Sequence, residues 1–351
     1  MSFTPKILQI MAGARFGGAE TAFADTCIAL AEAGFEQHIV TRNHPERLSR
    51  FSRYNIPYTV LPFGGSIDFY TPLRLTHIIN AYQPDIVQSW MSRASSKIPS
   101  KRKRYNYKVI SRLGNYYKLK NFKQTDAFLA ITPKIKDYII SNDEHKRPVF
   151  FLPNFAETEI HSVSISRKEL DTPEDALVCL TLARYHDSKA LDVAIKAIKE
   201  IPHCYLWLAG EGPDREKLIA LAKREGVYER CRFLGWRDDR AALLQACDIC
   251  LFISRFEPFG TVFVQSWAQK TPVIVSDADG PAQFVEDGEN GLVVPKNNVN
   301  ALVQAINKLK KSKPLREKLV QEGYNKYRNV FSKESTIKAY TRLYQTILEK
   351  E

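Results

Sequence analysis

Two cations stand five positions apart early in the second half of the chain: Arg184 and Lys189, in ARYHDSKALD (183–192). This stretch follows an apolar run and precedes a helical pattern, so a strand-to-helix turn is predicted. Cations in such a turn can hold a diphosphate, the guanidinium as a fork and the ammonium as a point charge. Two solvated loop charges are the alternative. His186 lies in the same turn and is predicted to fill the loop rather than to catalyse.

A second segment, ISRFEPFGTVFVQSWAQKTPVIVS (253–276), has the pattern strand, loop, helix, strand. Glu257 lies in the loop just before a helix that is expected to begin near Gly260. The amides of residues 259–262 would point out of that helix start, which suits phosphate. Gln265 lies on the helix, eight residues after Glu257. The alternative is a helix that begins after a proline and has an acid near its first turn.

The first strand ends in a glycine-rich loop, GARFGGAE (13–20). Gly17 and Gly18 would let the backbone approach a ligand closely, and the following helix start favours an anion. The loop is not a G-x-G-x-x-G fingerprint, and Arg42 stands where a dinucleotide ribose would need a carboxylate. NAD is therefore not expected. A tight turn with Glu20 in the first helical turn is the structural alternative.

Metal sites are not expected anywhere in the sequence. Asp277 and Asp279 form a D-x-D pattern, but they follow a strand and precede Gly-Pro, so a turn role is predicted. Cys247 and Cys250 have no partner pair, and zinc binding is not expected. The seven histidines show no ligand spacing such as H-E-x-x-H.

The elements that must position these residues alternate along the whole chain. In the first half, strands are predicted at 6–12, 37–41, 58–63, 85–90, 108–113, 127–132 and 149–154, with helices such as 18–33 and 71–82 between them. In the second half, helices are predicted at about 188–200, 213–226, 239–246 and 261–269 between further strands. The tail 298–350 is predicted to be helical throughout, with one face formed by Ile337, Tyr340, Tyr344 and Ile347.

The strands are near-continuous apolar runs, which indicates parallel sheets covered on both faces. The polar stretch 156–175 has the composition of an interdomain linker. The sequence therefore predicts two tandem Rossmann-like, doubly wound α/β domains, at 1–160 and 161–330. Such sheets bind ligands at the carboxyl ends of their strands, so the cleft between the domains is the expected site.

Composition excludes several classes of protein. The 351 residues are 44% hydrophobic and 26% charged, as in ordinary globular proteins. No apolar run reaches the roughly 18 residues of a membrane span. The N-terminus lacks the pattern of a secretory signal. Six thinly spread cysteines suit buried, reduced thiols in the cytosol.

The net charge of +12 lies almost entirely in the first half. Residues 1–155 hold 22 basic and 11 acidic residues, whereas residues 156–351 hold 29 and 28. Residues 86–125 contain 11 basic residues and no acidic one; the densest part includes Lys101, Arg102, Lys103 and Arg104. Such a surface attracts nucleic acid, anionic lipid or phosphorylated glycan. A solvated basic loop is the alternative.

Six motifs together resemble those of a known family: the GGAE loop (17–20), Arg184 with Lys189, LWLAGEGPDREKL (206–218), CRFLGWRDD (231–239), EPFGTVFVQSWA (257–268) and DGENGLVVP (287–295). In their order and spacing they resemble a retaining glycosyltransferase of the GT-B fold, in family 4. The segments WMSRAS (90–95), SRLGNYYKLK (111–120) and RFEPFG (255–260) resemble a bacterial subgroup that builds surface glycans such as lipopolysaccharide. The resemblance also implies that a C-terminal helix, 331–351, crosses back to the first domain.

The resemblance implies a role for each matching residue. Arg184 and Lys189 would hold the donor diphosphate, and Glu257 would contact hydroxyls of the donor sugar. The remaining donor-binding residues would be Gly17, Gly18, Gly210, Trp236, Arg237, Phe259, Gly260, Thr261, Val262 and Gln265. Of these, Trp236 and Arg237 would line the base pocket, and Gly17 and Gly18 would approach the leaving phosphate.

Two positions depart from the family pattern. Gln265 stands where the family usually has a second Glu that binds the nucleotide ribose; its carbonyl still accepts hydrogen bonds but carries no charge. Ser89, Trp90 and Met91 occupy the region where many members have a His beside the donor sugar. No side chain is an obvious general base.

The predicted function is a metal-independent, retaining glycosyltransferase with no required cofactor and a UDP- or GDP-sugar as co-substrate. The first domain would bind a glycan or lipid-linked acceptor, and the second would bind the donor. Localisation is expected to be cytoplasmic and peripheral, with Lys101 to Arg104 facing an anionic membrane. The alternative function is a nucleic-acid-binding protein that uses the basic first domain; no RNP, KH or zinc-finger pattern accompanies it.

Overall fold

The computed structural model describes residues 4–15, 17–65, 67–100, 106–156 and 165–349. The chain divides into two units. The first consists of Met1–Phe155 together with Lys333–Glu351, and the second of Ala156–Ser332. The chain therefore leaves the first unit once and returns to it for its last helix.

Seven parallel strands form the sheet of the first unit, in the order β3-β2-β1-β4-β5-β6-β7. The strands are β1 (Ile7–Met11), β2 (Gln37–Thr41), β3 (Tyr58–Val60), β4 (Ile86–Trp90), β5 (Lys108–Leu113), β6 (Ala127–Ala130) and β7 (Val149–Phe151). The helices between them are α1 (Gly18–Glu32), α2 (Pro45–Arg53), α3 (Tyr70–Tyr82), α4 (Met91–Ser95) and α5 (Pro133–Asn142). The central strands β1 and β4 are buried along their whole length, as continuous apolar runs predict.

Six parallel strands form the sheet of the second unit, in the order β10-β9-β8-β11-β12-β13. The strands are β8 (Leu177–Leu182), β9 (Cys204–Ala209), β10 (Cys231–Gly235), β11 (Ile249–Phe252), β12 (Val273–Ser276) and β13 (Leu292–Val294). The helices are α6 (Leu191–Lys199), α7 (Arg215–Arg224), α8 (Arg240–Ala246), α9 (Val262–Ala268), α10 (Val299–Lys311) and α11 (Lys313–Lys326). Two doubly wound parallel sheets confirm the predicted fold class.

The last helix, α12 (Lys333–Glu349), packs in the first unit. Tyr340, Tyr344 and Ile347 are buried in one cluster with apolar residues of β1, β4, β5 and β6, and Ile337 packs against it. The hydroxyl of Tyr344 donates a hydrogen bond of 2.9 Å to Gln88 Oε1 on β4. The predicted apolar face and the predicted return of this helix are therefore confirmed.

Two helix predictions are partly wrong, one because the helix is interrupted and one because it begins later than expected. The tail is not helical throughout, because Ser312 and Ser332 interrupt it with extended backbone. The side chain of Ser312 accepts the N–H of Leu315, and this cap starts α11 as a new helix. The helix expected from 188 begins only at Leu191, because Ala190 has a left-handed backbone (φ 53°) that no α-helix continues through.

Helices of the described chain are all too short or too polar to cross a bilayer. All six cysteines are free and buried, as the sequence predicts. In the second unit, burial raises the pKa of the Cys250 thiol to about 12, so this cysteine is an unreactive core residue.

Candidate functional site

A pocket of about 210 Å³ lies at the carboxyl end of the sheet in the second unit. It is formed by the residues that follow β8, β9 and β10 and by the start of α9. Seven of the residues predicted from the sequence line it: Arg184, Gly210, Trp236, Arg237, Thr261, Val262 and Gln265. They come from four separate segments, and the parallel sheet brings the segments together because all its strands end at this edge.

Gly210 is required for two strand ends to meet on one side of the pocket. Its φ of 152° is one that side chains rarely adopt, and a Cβ at this position would lie 2.0 Å from the carbonyl oxygen of Ala183. Its N–H donates a 2.7 Å hydrogen bond to the carbonyl of Gly235. The chain that follows β9 therefore runs directly against the chains that follow β8 and β10.

Arg184 and Arg240 give the pocket a positive charge. Within the described part of the chain, neither side chain has an ion-pair or hydrogen-bond partner. The third guanidinium, that of Arg237, is bound by Asp239, with a Nε–Oδ1 distance of 2.7 Å. This hydrogen bond holds the pKa of the Asp239 carboxyl below its usual value. Two uncompensated cations therefore remain to meet an anionic ligand.

Gln265 and Trp236 present groups that a ligand could use. The side chain of Gln265 is 95% buried yet lines the pocket, and no protein partner for its amide is found among the described residues. The ring of Trp236 is 75% exposed, and its Nε1–H donates to Asp238 at 3.0 Å. A free amide and a fixed aromatic ring are suited to a hydroxylated and aromatic ligand.

Lys189 and Glu257 lie close to each other, outside the set that lines the pocket. Lys189 Nζ donates to Glu257 Oε2 at 2.5 Å, and both side chains are largely buried. Lys189 ends a 3₁₀ turn, and the left-handed Ala190 follows it. The structure thus brings together two residues from segments 68 positions apart, and fixes a cation beside a carboxylate.

Arg255, for which the sequence predicts no role, holds these two segments together. Its backbone N–H donates to the carbonyl of Ser188 at 2.8 Å. Its guanidinium binds both carboxylate oxygens of Asp192, at 2.8 and 2.9 Å. The turn that carries Lys189 and the loop that carries Glu257 are therefore joined through one arginine. Arg240, which lines the pocket, was also missed.

Gly260 and Phe259 have structural roles in the loop before α9. Gly260 has φ 71°, and a Cβ there would lie 2.2 Å from the ring of Phe252. The side chain of Phe259 is buried and packs against Phe263 and Phe284. Its side chain is therefore core, and only its backbone amide is left for the predicted ligand contact.

Gly17 and Gly18 belong to the first unit, at the start of α1. The carboxylate of Glu20 lies against this loop: Oε1 accepts the N–H of Ala14 at 2.8 Å. A Cβ on Gly17 would lie 2.3 Å from Glu20 Oε2, whereas a Cβ on Gly18 would meet nothing within 4 Å. Glu20 thus closes a tight turn, which is the alternative given for this loop. Contact of the two glycines with a leaving phosphate stays a prediction.

The segment that replaces the family His is part of the core of the first unit. Ser89 and Trp90 are buried, and Met91 has the left-handed φ of 64°. Trp90 Nε1 donates to Gln9 Oε1 at 2.9 Å, and the guanidinium of Arg112 lies 4.2 Å from the Trp90 ring. None of these groups is an exposed base. The predicted membrane residues Lys101 to Arg104 lie outside the described residues.

The patterns set aside in the sequence have structural partners. Asp277 Oδ1 accepts the N–H of Lys296 at 2.9 Å, so this carboxylate joins the end of β12 to the chain that follows β13. His186 Nδ1 accepts the N–H of Ser188 at 3.2 Å and caps the 3₁₀ turn. In the described chain, no group of three or more His, Cys, Asp or Glu side chains could hold a metal ion.

Comparison with known proteins gives the family. Residues 162–326 match the family model "Glycosyl transferases group 1", and residues 16–160 match "Glycosyltransferase Family 4". The lipopolysaccharide core biosynthesis glycosyltransferase LpsE of Rhizobium meliloti (strain 1021) is 35% identical over 342 residues, which cover 93% of this chain and 95% of LpsE. LpsD of the same organism, also a lipopolysaccharide core biosynthesis glycosyltransferase, is 31% identical over 343 residues, 97% of this chain and 98% of LpsD.

Among solved structures, Anabaena HepE in complex with UDP-glucose has a TM-score of 0.80 at 18% identity, covering 97% of this chain and all of HepE. Two doubly wound parallel sheets with a basic pocket at the carboxyl end of the second define the GT-B class. The chain belongs to the group 1 and family 4 glycosyltransferases. Membership decides between the two predicted functions in favour of the transferase; the nucleic-acid-binding alternative has no support.

Proposed function

We propose that this glycosyltransferase moves a sugar from a UDP- or GDP-sugar to a glycan or glycolipid acceptor, with retention of the anomeric configuration. The acceptor belongs to lipopolysaccharide or another surface glycan. The enzyme acts in the cytoplasm, as a peripheral protein at the inner face of the membrane. Support comes from the names of LpsE and LpsD and from the UDP-glucose bound by HepE.

One observation carries the proposal: a pocket at the carboxyl strand ends that is lined by two arginines without ion-pair partners in the described chain, Arg184 and Arg240. Guanidinium groups at such a position suit phosphate, which they can bind through two parallel hydrogen bonds. The volume of about 210 Å³ is below the roughly 300–1,000 Å³ of pockets that hold whole ligands. This pocket would therefore take the nucleotide part of the donor.

The other lining groups suit the parts of a nucleotide. The exposed ring of Trp236 offers an apolar face for the base, with Arg237 beside it. The carbonyl of Gln265 would accept hydrogen bonds from ribose hydroxyls, in place of the carboxylate usual in the family. The amides of Gly260, Thr261 and Val262 would contact phosphate and sugar.

The pair formed by Lys189 and Glu257 would meet the diphosphate and the donor sugar. Both side chains are at least three-quarters buried, so their charges interact more strongly than on an open surface. A diphosphate arriving beside Lys189 would compete with Glu257 for the ammonium. Glu257 would then be released to accept hydrogen bonds from sugar hydroxyls.

Catalysis would rest on positioning and charge rather than on a protein base. The acceptor hydroxyl would attack the anomeric carbon on the face from which the nucleotide leaves, and the departing phosphate oxygen would take the acceptor proton. Negative charge grows on the diphosphate during this step, and Arg184 and Lys189 would stabilise it. These cations would do the work of a metal ion, so none is required.

Ligand-dependent melting tests the nucleotide site. UDP or GDP should raise the melting temperature by mass action, because it binds only the folded chain. The double variant Arg184→Ala/Arg240→Ala should lose that shift, whereas Arg224→Ala, an exposed arginine of α7, should keep it. A shift with an oligonucleotide but with neither nucleotide would contradict the proposal.

A panel of nucleotide sugars, scored by nucleotide release, would then identify the donor.

The proposed binding to the membrane is tested separately by flotation. Replacement of Lys101 to Arg104 by Ser should weaken binding to anionic vesicles, since each basic residue near such a surface contributes roughly 1 kcal/mol. Unchanged flotation would leave these residues as a solvated loop.

A further inference from the structure

Four large apolar side chains are exposed close together in the first unit, over the segment 67–73. Ile67 is 83% exposed, Phe69 73%, Tyr70 56% and Leu73 70%. Single exposed apolar residues are normal, but contiguous ones mark an interaction site. Within the part of the chain that the structure describes, no element covers these four side chains.

The conformation that exposes these side chains is held by specific hydrogen bonds. Asp68 Oδ2 accepts the N–H of Gly64 at 2.7 Å and the hydroxyl of Thr71 at 2.6 Å. Lys97 Nζ donates to the carbonyls of Gly65 and Asp68, at 2.8 and 2.9 Å. Lys97 itself is only 8% exposed. Asp68 and Lys97, which turn inward, thus fix a segment whose apolar side chains turn outward.

Helix α3 continues the same surface. Its inner side buries Leu75, Ile78 and Ile79 in the core of the first unit. Its outer side exposes Tyr70, Leu73, Arg74 and His77, which are spaced as one helical face. This outer face is apolar at the start of the helix and basic one turn later. Apolar side chains combined with basic ones are the groups by which surface helices bind a membrane interface.

The charged side chain on the exposed face is basic. Arg74 is exposed beside Leu73, whereas the carboxylate of Asp68 is used inside the loop. Lys97, which holds the segment through two backbone carbonyls, belongs to the acid-free basic stretch 86–125. An anionic bilayer has negatively charged headgroups above an apolar interior. It therefore complements both the basic charge and the exposed apolar side chains of this surface. A protein partner would have to supply acidic and apolar groups together.

We propose that the segment 67–73 inserts into the interface of an anionic bilayer. Ile67, Phe69 and Leu73 enter the boundary of the acyl chains, and Tyr70 lies among the headgroups, where amphipathic rings are favoured. Arg74 meets lipid phosphate. This inference rests on the proposed function, in which the acceptor is linked to a membrane. The inserted segment would give the first unit a fixed surface with which to approach that acceptor.

Flotation with the full-length protein tests this surface. Phe69→Ser/Leu73→Ser should lower partitioning onto phosphatidylcholine–phosphatidylglycerol vesicles roughly tenfold or more, because it removes the apolar area that the bilayer would bury. The matched control is Tyr54→Ser/Ile140→Ser, which changes two exposed apolar residues of the same unit (45% and 56% exposed). It should partition like the wild type. Equal loss in both variants, or no flotation of the wild type, would overturn the proposal.

A second measurement reports insertion without removing apolar groups. Ile67→Trp places an indole at the most exposed of the four positions, and brominated phospholipid should quench it beyond the signal of the four native tryptophans. Tyr54→Trp should show no added quenching. Absence of added quenching in Ile67→Trp would also overturn the proposal.

The UDP- or GDP-dependent melting shift is measured on the same variants. It should persist in Phe69→Ser/Leu73→Ser, which shows that the variant is folded. A wild type that floats through this segment but gives no nucleotide shift would contradict the proposed transferase reaction and leave the membrane surface standing. A nucleotide shift without flotation would do the reverse.

Discussion

The two units place their polar side chains differently. In the second unit, the strands β8, β9 and β11 bury apolar side chains and cysteines with the exception of Thr181, and the charged groups lie in loops at the carboxyl edge. In the first unit, polar side chains lie inside the sheet core: Gln9, Gln88, Ser89, Ser111 and Arg112. The sheets share an architecture, but polar groups serve a site in one and packing in the other.

The interior polar groups of the first unit are joined to one another. Ser89 Oγ lies 2.9 Å from Ser111 Oγ, and Gln88 binds Tyr344 of α12. The guanidinium of Arg112 binds Asn154 and stacks on Trp90. Burial lowers the pKa of Arg112 and raises that of Tyr344 well above its ordinary value. Directional bonds of this kind select one packing of a helix where apolar contacts would allow several.

Because of this difference, substitutions of polar residues in the two units should have separate effects on activity and on stability. Polar residues at the edge of the second unit should affect the reaction while leaving the fold intact. Polar residues inside the first unit should affect the fold while leaving nucleotide binding intact. Five measurements test this separation, and they follow in order of decreasing expected effect.

The largest effect is expected at the diphosphate. Arg184→Ala and Lys189→Ala should each lower turnover roughly 10²-fold or more, because each removes charge stabilisation from the transition state. The melting temperature should stay close to that of the wild type in Arg184→Ala, whose side chain has no partner among the described residues. It should fall somewhat in Lys189→Ala, because the largely buried carboxylate of Glu257 loses its ion-pair partner. Nucleotide release from the donor measures turnover. A variant with full activity would remove its residue from the site.

Gln265 should have the next effect. Gln265→Leu leaves the ribose hydroxyls without a partner and should weaken nucleotide binding by roughly 1–3 kcal/mol. Gln265→Glu restores the family residue and should keep activity. Titration calorimetry with UDP or GDP measures the affinity. If Gln265→Leu and the wild type bind equally well, the amide has no contact with the ligand.

Arg255 should affect turnover through the residues that it holds. Arg255→Ala removes the two side-chain bonds to Asp192 but keeps the backbone bond to Ser188. The link between the Lys189 turn and the Glu257 loop is then weaker, and turnover should fall about tenfold, as expected for misplaced groups. Arg255→Lys keeps the charge but not the two bonds to Asp192, and should recover only part of the loss. Arg224→Ala is the exposed control. A loss of melting temperature that accounts for all of the activity loss would reduce Arg255 to a structural residue.

Tyr344 tests the first unit. Tyr344→Phe leaves Gln88 Oε1 without its donor and should lower the free energy of unfolding by about 1 kcal/mol. The nucleotide-dependent melting shift should be unchanged. Gln88→Leu/Tyr344→Phe should cost less than the sum of the single changes, because both groups of the pair are then gone. Additive losses would show that the bond does not stabilise this unit.

The smallest effect is expected from chelation. Activity should survive EDTA, because Arg184 and Lys189 supply the positive charge for the departing diphosphate. Loss of activity in EDTA with rescue by Mn²⁺ would direct attention to Asp277 and Asp279. It would also mean that charge at the edge of the second unit is not supplied by the protein alone.

Much of the fold follows from patterns within short windows of sequence. Apolar runs of four to six residues, separated by amphipathic stretches, place nearly every strand within a few residues of its observed bounds. The motif segments also place seven site residues in one pocket, because their turns all follow strands of one parallel sheet. Local pattern is sufficient where the physical cause is itself local: burial on a strand, or a turn between a strand and a helix.

The features that the sequence does not predict depend on residues that are far apart in the chain. Arg255 and Asp192 are 63 positions apart, and the RFEPFG segment that contains Arg255 does not indicate its partner. Helix α3 has apolar residues on both sides, so its sequence does not decide whether Leu73 or Leu75 is buried. Only the sheet, by covering Leu75, leaves Leu73 exposed. Local sequence patterns are therefore enough for the class of fold and of reaction, whereas the pairing of charges and the exposure of one apolar face depend on long-range packing.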